Sequence, residues 1–185
     1  MQITVMETAI AGCYEILPKV VGDTRGSFVK TFHAETFSNY GLCTDWPEEY
    51  FSISRRGVLR GLHFQTPPHH HDKLVYCVEG AVLDAVVDLR KGSPSFGNHL
   101  VLELTADKAN MLYIPNGIAH GFYVVSDSAT MMYKVSSMYA PEHDTGIRWN
   151  SAGIGWPDAK PIVSARDAGL PAFCAFESPF DLRGR

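Results

Sequence analysis

Short β-rich runs, separated by turn residues at intervals of roughly 8–12 positions, limit the possible folds of this chain more than any other feature. The runs are rich in branched and aromatic residues and cover residues 57–64, 73–79, 81–89, 99–104, 111–114, 121–125 and 130–136. Turn chemistry such as Lys91-Gly92-Ser93-Pro94 and Pro115-Asn116-Gly117 lies between them. The pattern predicts a mainly β fold, a sandwich or barrel of antiparallel strands.

Helices are a minor part of the prediction. One is expected at Ala34–Tyr40, ending at Gly41, and a second at 164–168, with Ser164 as its N-cap. We expect one domain over residues 1–185. A Pro- and Phe-rich tail, from about residue 169 to 185, is expected to wrap the barrel as irregular chain.

The composition is typical of a globular protein and excludes several partners. The net charge of −4 gives no bulk attraction to nucleic acid or to an anionic membrane. The first twelve residues lack the pattern of a signal peptide, and no apolar run approaches the ~20 residues of a membrane span. Four scattered cysteines without a CxxC pair favour reduced thiols in the cytoplasm over disulfides or zinc.

The motif Arg60-Gly61-Leu62-His63-Phe64-Gln65-Thr66-Pro67 carries the clearest chemical signal. Histidine is a base whose pKa lies near neutral pH, and arginine binds anions. A strict two-residue period would place Arg60 on the face of Leu62 and Phe64, and His63 on the opposite face. The motif therefore predicts a site for a negatively charged substrate.

Four further side chains, Lys73, His120, Tyr133 and Tyr139, lie in strand-like runs further along the chain. Each residue type alone is more often structural than catalytic. A reaction that moves a proton needs a base, an acid on another face and a cation for the developing negative charge. His63, Tyr133 and Lys73 could supply these roles inside a small barrel.

Histidines also raise the alternative of a metal site. Pro115-x-Gly117-x-x-His120 matches the second half of a cupin motif, and His69-His70-His71 lies upstream. A clean first half, with an H-x-H and a glutamate ligand, is missing. We therefore expect no metal and no cofactor, and a solvated loop at His69–His71.

Long segments of the chain resemble the dTDP-4-dehydrorhamnose 3,5-epimerase family. They occur in the family's order and spacing: residues 56–65 (RGVLRGLHFQ), 72–75 (DKLV), 86–94 (VVDLRKGSP), 114–122 (IPNGIAHGF), 139–144 (YAPEHD) and 164–167 (SARD). The resemblance implies a cupin-type jelly roll that works as a homodimer without metal. It also implies a substrate in which a 4-keto-6-deoxyhexose is linked to a nucleoside diphosphate.

The resemblance implies four catalytic residues. His63 is similar to the family's base, and Asp167 to the carboxylate that orients it. Lys73 resembles the cation that stabilises the enolate oxygen, and Tyr133 the acid that returns a proton on the opposite face. The reaction implied is inversion at C3 and C5, from dTDP-4-dehydro-6-deoxyglucose to dTDP-4-dehydro-L-rhamnose.

The resemblance also implies a set of substrate-binding residues. Arg60 and Arg25 match diphosphate contacts, with Arg25 reaching the site of the partner chain, and Tyr139 matches the aromatic that stacks on the nucleobase. The full set is Arg25, Phe28, Ser52, Arg60, Gln65, His120, Tyr139 and Arg166.

Two segments depart from the family's common pattern, at Glu48–Phe51 and at Lys30, and both belong to the nucleotide side of the pocket. They leave a CDP-linked sugar open as an alternative. An epimerase acting at C3 or C5 alone would use the same residues. A metal-dependent cupin enzyme and a sugar-nucleotide binding protein without activity are the alternatives from other classes.

Overall fold

The computed structural model describes residues 3–182 of the chain. Its strands are β1 (Ile3–Glu7), β2 (Tyr14–Pro18), β3 (Val20–Asp23), β4 (Gly26–Val29), β5 (Glu48–Arg55), β6 (Leu59–Gln65), β7 (Lys73–Glu79), β8 (Ala81–Asp88), β9 (His99–Thr105), β10 (Met111–Ile114), β11 (Ile118–Val124), β12 (Ser128–Val135) and β13 (Asp144–Gly146). Helix α1 spans Ala34–Asn39, α2 spans Ala165–Ala168, and a 3₁₀ turn spans Phe173–Ala175.

Two antiparallel sheets face each other. The first has the order β1-β2-β10-β7-β12-β5, and the second the order β13-β6-β11-β8-β9. Strands β3 and β4 form a separate hairpin. Within each sheet, neighbouring strands are mostly not consecutive in the chain, as in a jelly roll. Strands that are distant in sequence therefore become neighbours and bring their inward side chains together.

The main core lies between the sheets. Val86 and Phe122 of the second sheet pack in one buried cluster with Leu112 and Met131 of the first. At about 25 cal/mol per Å² of apolar area, each such side chain stabilises the fold by roughly 1.5–3 kcal/mol. This layer fixes the distance between the two sheets, and therefore the width of any cavity that opens between them.

The outer faces of the sheets are covered by the remaining chain. Phe37 of α1 packs on the first sheet. Phe180 packs beside Phe64 on the second, with their ring centroids 5.7 Å apart. Between residues 169 and 182 the described tail contains one 3₁₀ turn, and the last three residues of the predicted tail lie outside the described part. Within residues 3–182, no helix is long and apolar enough to span a membrane.

The predicted strands are confirmed, with ends that shift by up to three residues. The two helices are also confirmed: Ser164 caps α2 by accepting a hydrogen bond from the Asp167 N–H at 3.0 Å, and Gly41 follows α1 with a positive φ of 68°. The prediction was wrong for Tyr139, which lies in the irregular segment after β12. The predicted runs also left out the strands β1, β2, β3, β5 and β13. The sequence of β5 is polar, and its aromatic residues Tyr50 and Phe51 are exposed.

The pairing of β6 with β11 overturns the strict two-residue alternation expected of Arg60 and His63. His63 lies opposite His120, whereas Arg60 lies opposite Phe122. The two pairs are three positions apart on β6 but only two apart on β11, so β6 contains one extra residue between them. This bulge puts Arg60 and His63 on the same face. Gly61 makes it possible: its φ is +134°, and a Cβ atom there would lie 2.6 Å from the Cα of Gly121.

Candidate active site

A cavity of about 390 Å³ opens between the two sheets. Its size suits a small organic ligand. Nine of the twelve predicted site residues contribute to its wall, and Asp167 lies directly behind His63. The nine are Ser52, Arg60, His63, Gln65, Lys73, His120, Tyr133, Tyr139 and Arg166.

His63 and Asp167 form a hydrogen-bonded pair in the wall of the second sheet. The His63 Nε2 atom lies 2.7 Å from Asp167 Oδ1, and the Gly61 N–H donates to Asp167 Oδ2 at 3.2 Å. Burial of Asp167 works to raise the pKa of its carboxyl. Hydrogen bonds involving His63, Gly61 and the side chain of Ser164 nevertheless keep that pKa below its usual value. The ionised carboxylate holds the proton on Nε2 and leaves the lone pair on Nδ1.

Lys73 enters the cavity from the facing sheet. Its side chain is buried, and its Nζ donates to the backbone oxygen of His63 at 3.3 Å. Desolvation lowers the pKa of Lys73 to about 8, although Asp144 and Asp84 act in the opposite direction. At neutral pH it is therefore mainly an ammonium in a dry site, where it can stabilise a developing negative charge.

Tyr133 also projects from the first sheet and faces the second. Its hydroxyl lies 3.2 Å from Ser52 Oγ, and its ring stacks on Tyr50 with centroids 4.8 Å apart. Burial raises the pKa of Tyr133 well above its usual range, and the Ser52 hydrogen bond only partly offsets this. The phenol is thus neutral and able to donate a proton to a ligand that lies between the sheets.

His120 belongs to a second histidine–aspartate pair. Its Nε2 lies 2.8 Å from Asp84 Oδ2, and both side chains are buried. Desolvation raises the pKa of Asp84. The other oxygen, Asp84 Oδ1, has no hydrogen-bond partner among the described residues. His120 therefore sits in a rigid position next to the Tyr133 ring, 6.2 Å between centroids.

Two arginines line the mouth of the cavity. Arg60 is exposed, and its Nε donates to Ser54 Oγ at 2.9 Å, which orients the guanidinium. Arg166 pairs with Asp144 at 2.8 Å. Both keep donors free to bind an anion such as a diphosphate. The mouth therefore offers two guanidinium groups to an anion, beside the carboxylates of Asp144 and Glu48.

Gln65 and Tyr139 have different places in the wall. Gln65 is buried and bonds to backbone groups: its Oε1 accepts from the Ala140 N–H at 2.7 Å, and its Nε2 donates to the His69 oxygen at 2.7 Å. Tyr139 is 61% exposed at the rim, where its backbone N–H donates to Glu48. Gln65 thus ties the rim segments together, and Tyr139 offers an open aromatic face.

Arg25 and Phe28 do not join this cavity. Both lie on the β3–β4 hairpin, where Phe28 is 56% exposed and Arg25 pairs only with Asp23 among the described residues. Within one chain they are separate from the other predicted site residues. The prediction that Arg25 reaches the partner's site remains a prediction.

Sequence reasoning missed several wall residues. Asp144 and Tyr50 line the cavity, and Asp84 lies behind it. The sequence did contain a signal for Asp84, because a single carboxylate at an inward position of the apolar strand β8 requires a hydrogen-bond or ion-pair partner. Tyr50 lies in the segment Glu48–Phe51 that the resemblance places on the nucleotide side, but its own place in the wall was not predicted because β5 was not predicted.

The expectation that His69–His71 form a solvated loop is wrong for His71. His69 is exposed, but His71 is half-buried and lines the cavity. Among residues 3–182, no three His, Cys, Asp or Glu side chains form a group suited to a metal ion.

The geometry as a whole supports proton transfer across a small ligand. An oriented imidazole stands on one sheet, and a neutral phenol and a buried ammonium stand on the facing sheet. A ligand between them could lose a proton on one side, carry negative charge on an oxygen near Lys73, and receive a proton on the other side.

Comparison with known proteins supports the same type of reaction. A family model described as dTDP-4-dehydrorhamnose 3,5-epimerase matches residues 7–175. The dTDP-4-dehydrorhamnose 3,5-epimerase of Shigella flexneri is 41% identical over 166 residues, which are 88% of this chain and 92% of that protein.

Solved structures are similar over the same length. The dTDP-6-deoxy-D-glucose-3,5-epimerase of Legionella pneumophila, in complex with dTDP-4-keto-L-rhamnose, has a TM-score of 0.91 and 34% identity and covers 95% of both chains. ChmJ, a 3'-monoepimerase from Streptomyces bikiniensis in complex with dTDP-quinovose, has a TM-score of 0.85 and 33% identity, covering 90% of this chain and 86% of that one. These matches confirm the predicted mainly β, cupin-type sandwich.

Proposed function

The chain belongs to the dTDP-4-dehydrorhamnose 3,5-epimerase family, and from this we propose that it inverts C3 and C5 of dTDP-4-dehydro-6-deoxyglucose to give dTDP-4-dehydro-L-rhamnose. The observation that carries the proposal is the placement of the His63–Asp167 pair on one sheet, opposite Tyr133 and Lys73 on the other, in one cavity. The enzyme is an isomerase, and the reaction needs no net supply of protons.

The C4 ketone acidifies the protons on C3 and C5. His63 Nδ1 takes one of them, the C–H bond breaks, and its electron pair moves onto the ketone oxygen to form an enolate. Asp167 stabilises the imidazolium because the pKa of its carboxyl is held low. Lys73 stabilises the enolate oxygen with its charge.

Tyr133 then gives its phenolic proton to the opposite face of the same carbon. The enolate electrons form the new C–H bond, and the ketone returns. Because the pKa of Tyr133 is raised, the resulting phenolate recovers a proton, and the Ser52 hydroxyl lies 3.2 Å away as a hydrogen-bond partner. His63 releases its proton to solvent, so the two residues return to their starting states.

The nucleotide part of the substrate would lie at the mouth of the cavity. Arg60 and Arg166 would bind the diphosphate, and the exposed ring of Tyr139 would stack on the base. His120 and Ser52 would contact the sugar end. Gln65 would act by shaping the rim, because its polar atoms are bonded to backbone groups.

The test is proton NMR of dTDP-4-dehydro-6-deoxyglucose with the purified chain in deuterated water. We expect deuterium at both C3 and C5 and conversion to the L-configured product. A chain that leaves both signals intact would refute the function. The CDP-linked sugar, run in parallel, tests the choice of nucleotide, and we expect slower conversion than with the dTDP-linked sugar.

A mono-epimerase is the second candidate, because the fold similarity to a 3'-monoepimerase is nearly as high as that to the double epimerase. Its residues would act as described above on a single carbon. The same NMR experiment separates the two, since a mono-epimerase exchanges one carbon only.

We further propose that the active form is a homodimer in the cytoplasm. The exposed apolar residues of the edge strand β5 (Phe51, Ile53) and of the β3–β4 hairpin (Phe28) support a subunit contact, and cysteines without disulfide bonds support the location. In this dimer, Arg25 on the hairpin of one protomer would reach the cavity of its partner.

Mixing two inactive variants tests this contact. In a mixed dimer of Arg25→Ala and His63→Ala chains, one site would combine an intact His63 with an intact Arg25 from the partner. We expect activity to return on mixing, together with a dimer mass by light scattering. If Arg25 served its own chain, both sites would stay defective and no activity would return.

A further inference from the structure

Tyr50 is a cavity residue to which the mechanism above assigns no role. It lies on the edge strand β5, directly opposite Tyr133 of β12 in the antiparallel ladder. Directly opposed residues project to the same face of a sheet, and both side chains line the cavity. The two rings are stacked, with centroids 4.8 Å apart and an interplanar angle of 17°. Tyr50 therefore lies flat against the ring of the proposed acid.

The contacts of Tyr133 hold different parts of its side chain. Ser52 Oγ lies 3.2 Å from the hydroxyl, and the His120 ring is tilted at 69° with its centroid 6.2 Å away. Among the aromatic contacts of residues 3–182, the one with Tyr50 is the only contact in which a ring lies parallel to that of Tyr133. Rotation about the Cα–Cβ bond of Tyr133 swings its hydroxyl through the cavity, and a parallel ring blocks that swing on its own side. The position of the Tyr133 hydroxyl therefore depends on Tyr50.

The Tyr50 side chain gives Tyr133 a flat and uncharged support. Burial, with the charges of Glu48 and Asp144 adding to it, raises the pKa of Tyr50 to about 12, so its phenol is neutral at pH 7. Stacked aromatic rings attract each other beyond the apolar area that they bury. Tyr50 and Tyr133 belong to the first sheet, whereas His63 belongs to the second. Loss of the Tyr50 ring should therefore disturb the acid and spare the base.

We propose that Tyr50 is a positioning residue, whose stacked ring keeps the Tyr133 hydroxyl aimed at the reacting carbon. This inference rests on the proposed function. Transfer of a proton to carbon requires the donor to lie close to that carbon and in line with the new C–H bond, so a displaced donor is slow. His63, after exchange with solvent, then returns a deuteron to the face from which it removed a proton. Exchange continues at that carbon, but the configuration is retained.

Two replacements of Tyr50 separate its ring from its hydroxyl. Tyr50→Phe keeps the stack and removes the hydroxyl, whereas Tyr50→Leu keeps an apolar side chain and removes the flat ring. Phe96→Leu is the matched control, because Phe96 is 45% exposed, similar to Tyr50 at 41%, and its ring contacts Phe173 outside the cavity. Tyr50→Met, which also lacks a ring, repeats the test if urea unfolding shows that Tyr50→Leu does not fold.

The readout is the number of inversions per exchange event, from proton NMR of dTDP-4-dehydro-6-deoxyglucose in deuterated water. In Tyr50→Leu this ratio should fall about three- to tenfold, the effect of losing one aromatic stack. The loss should lie in kcat for inversion, with KM close to that of the parent. Tyr50→Phe and Phe96→Leu should keep the parental ratio.

A parental ratio in Tyr50→Leu would overturn the inference. So would an equal fall of exchange and inversion, which indicates general damage to the fold. A loss in Tyr50→Phe as large as that in Tyr50→Leu would also overturn it, because the hydroxyl and not the stacked ring would then matter. A parent that exchanges no sugar proton would instead refute the function itself.

Discussion

Replacing Lys73 by Met should make this protein more stable and nearly inactive. Lys73 is a buried cation, and burial lowers its pKa from 10.5 to about 8. Each tenfold change in acidity corresponds to 1.36 kcal/mol, so the folded state disfavours the ammonium by about 3 kcal/mol. Met fills a similar volume without a charge. Loss of the hydrogen bond to the His63 oxygen offsets about 1 kcal/mol, leaving a gain of about 2 kcal/mol.

The sign of the effect depends on pH. The cost of the buried ammonium is fully present below pH 8, where Lys73 is protonated in both the folded and the unfolded chain. It disappears as pH rises from 8 to 10.5, because the folded chain releases its proton first. The stability difference between Lys73→Met and the parent should therefore be largest at pH 7 and close to zero at pH 10.

Urea unfolding at pH 7 and pH 10, at equal protein concentrations, measures this difference. Lys108→Met is the matched control, since Lys108 is exposed and pairs with Glu103, and we expect no comparable change. The activity of Lys73→Met should fall by about 10²–10³-fold, the size of a lost oxyanion donor. A variant that is less stable than the parent by the same amount at both pH values would refute the reasoning.

Three further replacements test other parts of the site. Asp167→Asn should lower kcat/KM by about 10²–10⁴-fold, because a neutral amide no longer stabilises the imidazolium, and a loss below tenfold would contradict its role. Tyr133→Phe should lower inversion by at least about 100-fold while deuterium exchange continues through His63, and unchanged inversion in a turnover assay would exclude it as the acid. Gly121→Ala should destabilise the chain by about 1–3 kcal/mol, since its Cβ would lie 2.5 Å from the Arg60 oxygen, whereas Gly155→Ala has open space and should be neutral in thermal unfolding.

Local chemistry made much of the fold predictable. Branched and aromatic runs between turn residues define strands such as β7 and β12, and Ser164 marks the start of α2. Strand β5 was missed because an edge strand with polar and exposed residues lacks the alternation that burial imposes. Its place beside β12 is set by a partner strand some eighty residues away, which no local pattern reports.

Site residues were predictable where the family resemblance names them. They were less predictable where their place in the cavity depends on contacts between distant parts of the chain. The bulge that turns Arg60 to the side of His63 depends on Gly61 meeting Gly121 on the neighbouring strand. His71 looked like a solvated loop residue, and only its bond to Gln65 reveals that it belongs to the cavity. These contacts join residues that are close in space. The residue types can be seen in the sequence, but the contacts between them cannot.

The most direct test of the central claim is deuterium exchange by the His63→Ala variant, with binding of dTDP measured by calorimetry on the same sample. If His63 is the base oriented by Asp167, exchange at C3 and C5 should stop while the affinity for dTDP stays within about threefold of the parent. Exchange at a rate near that of the parent would contradict the account, because some other group would then remove the proton.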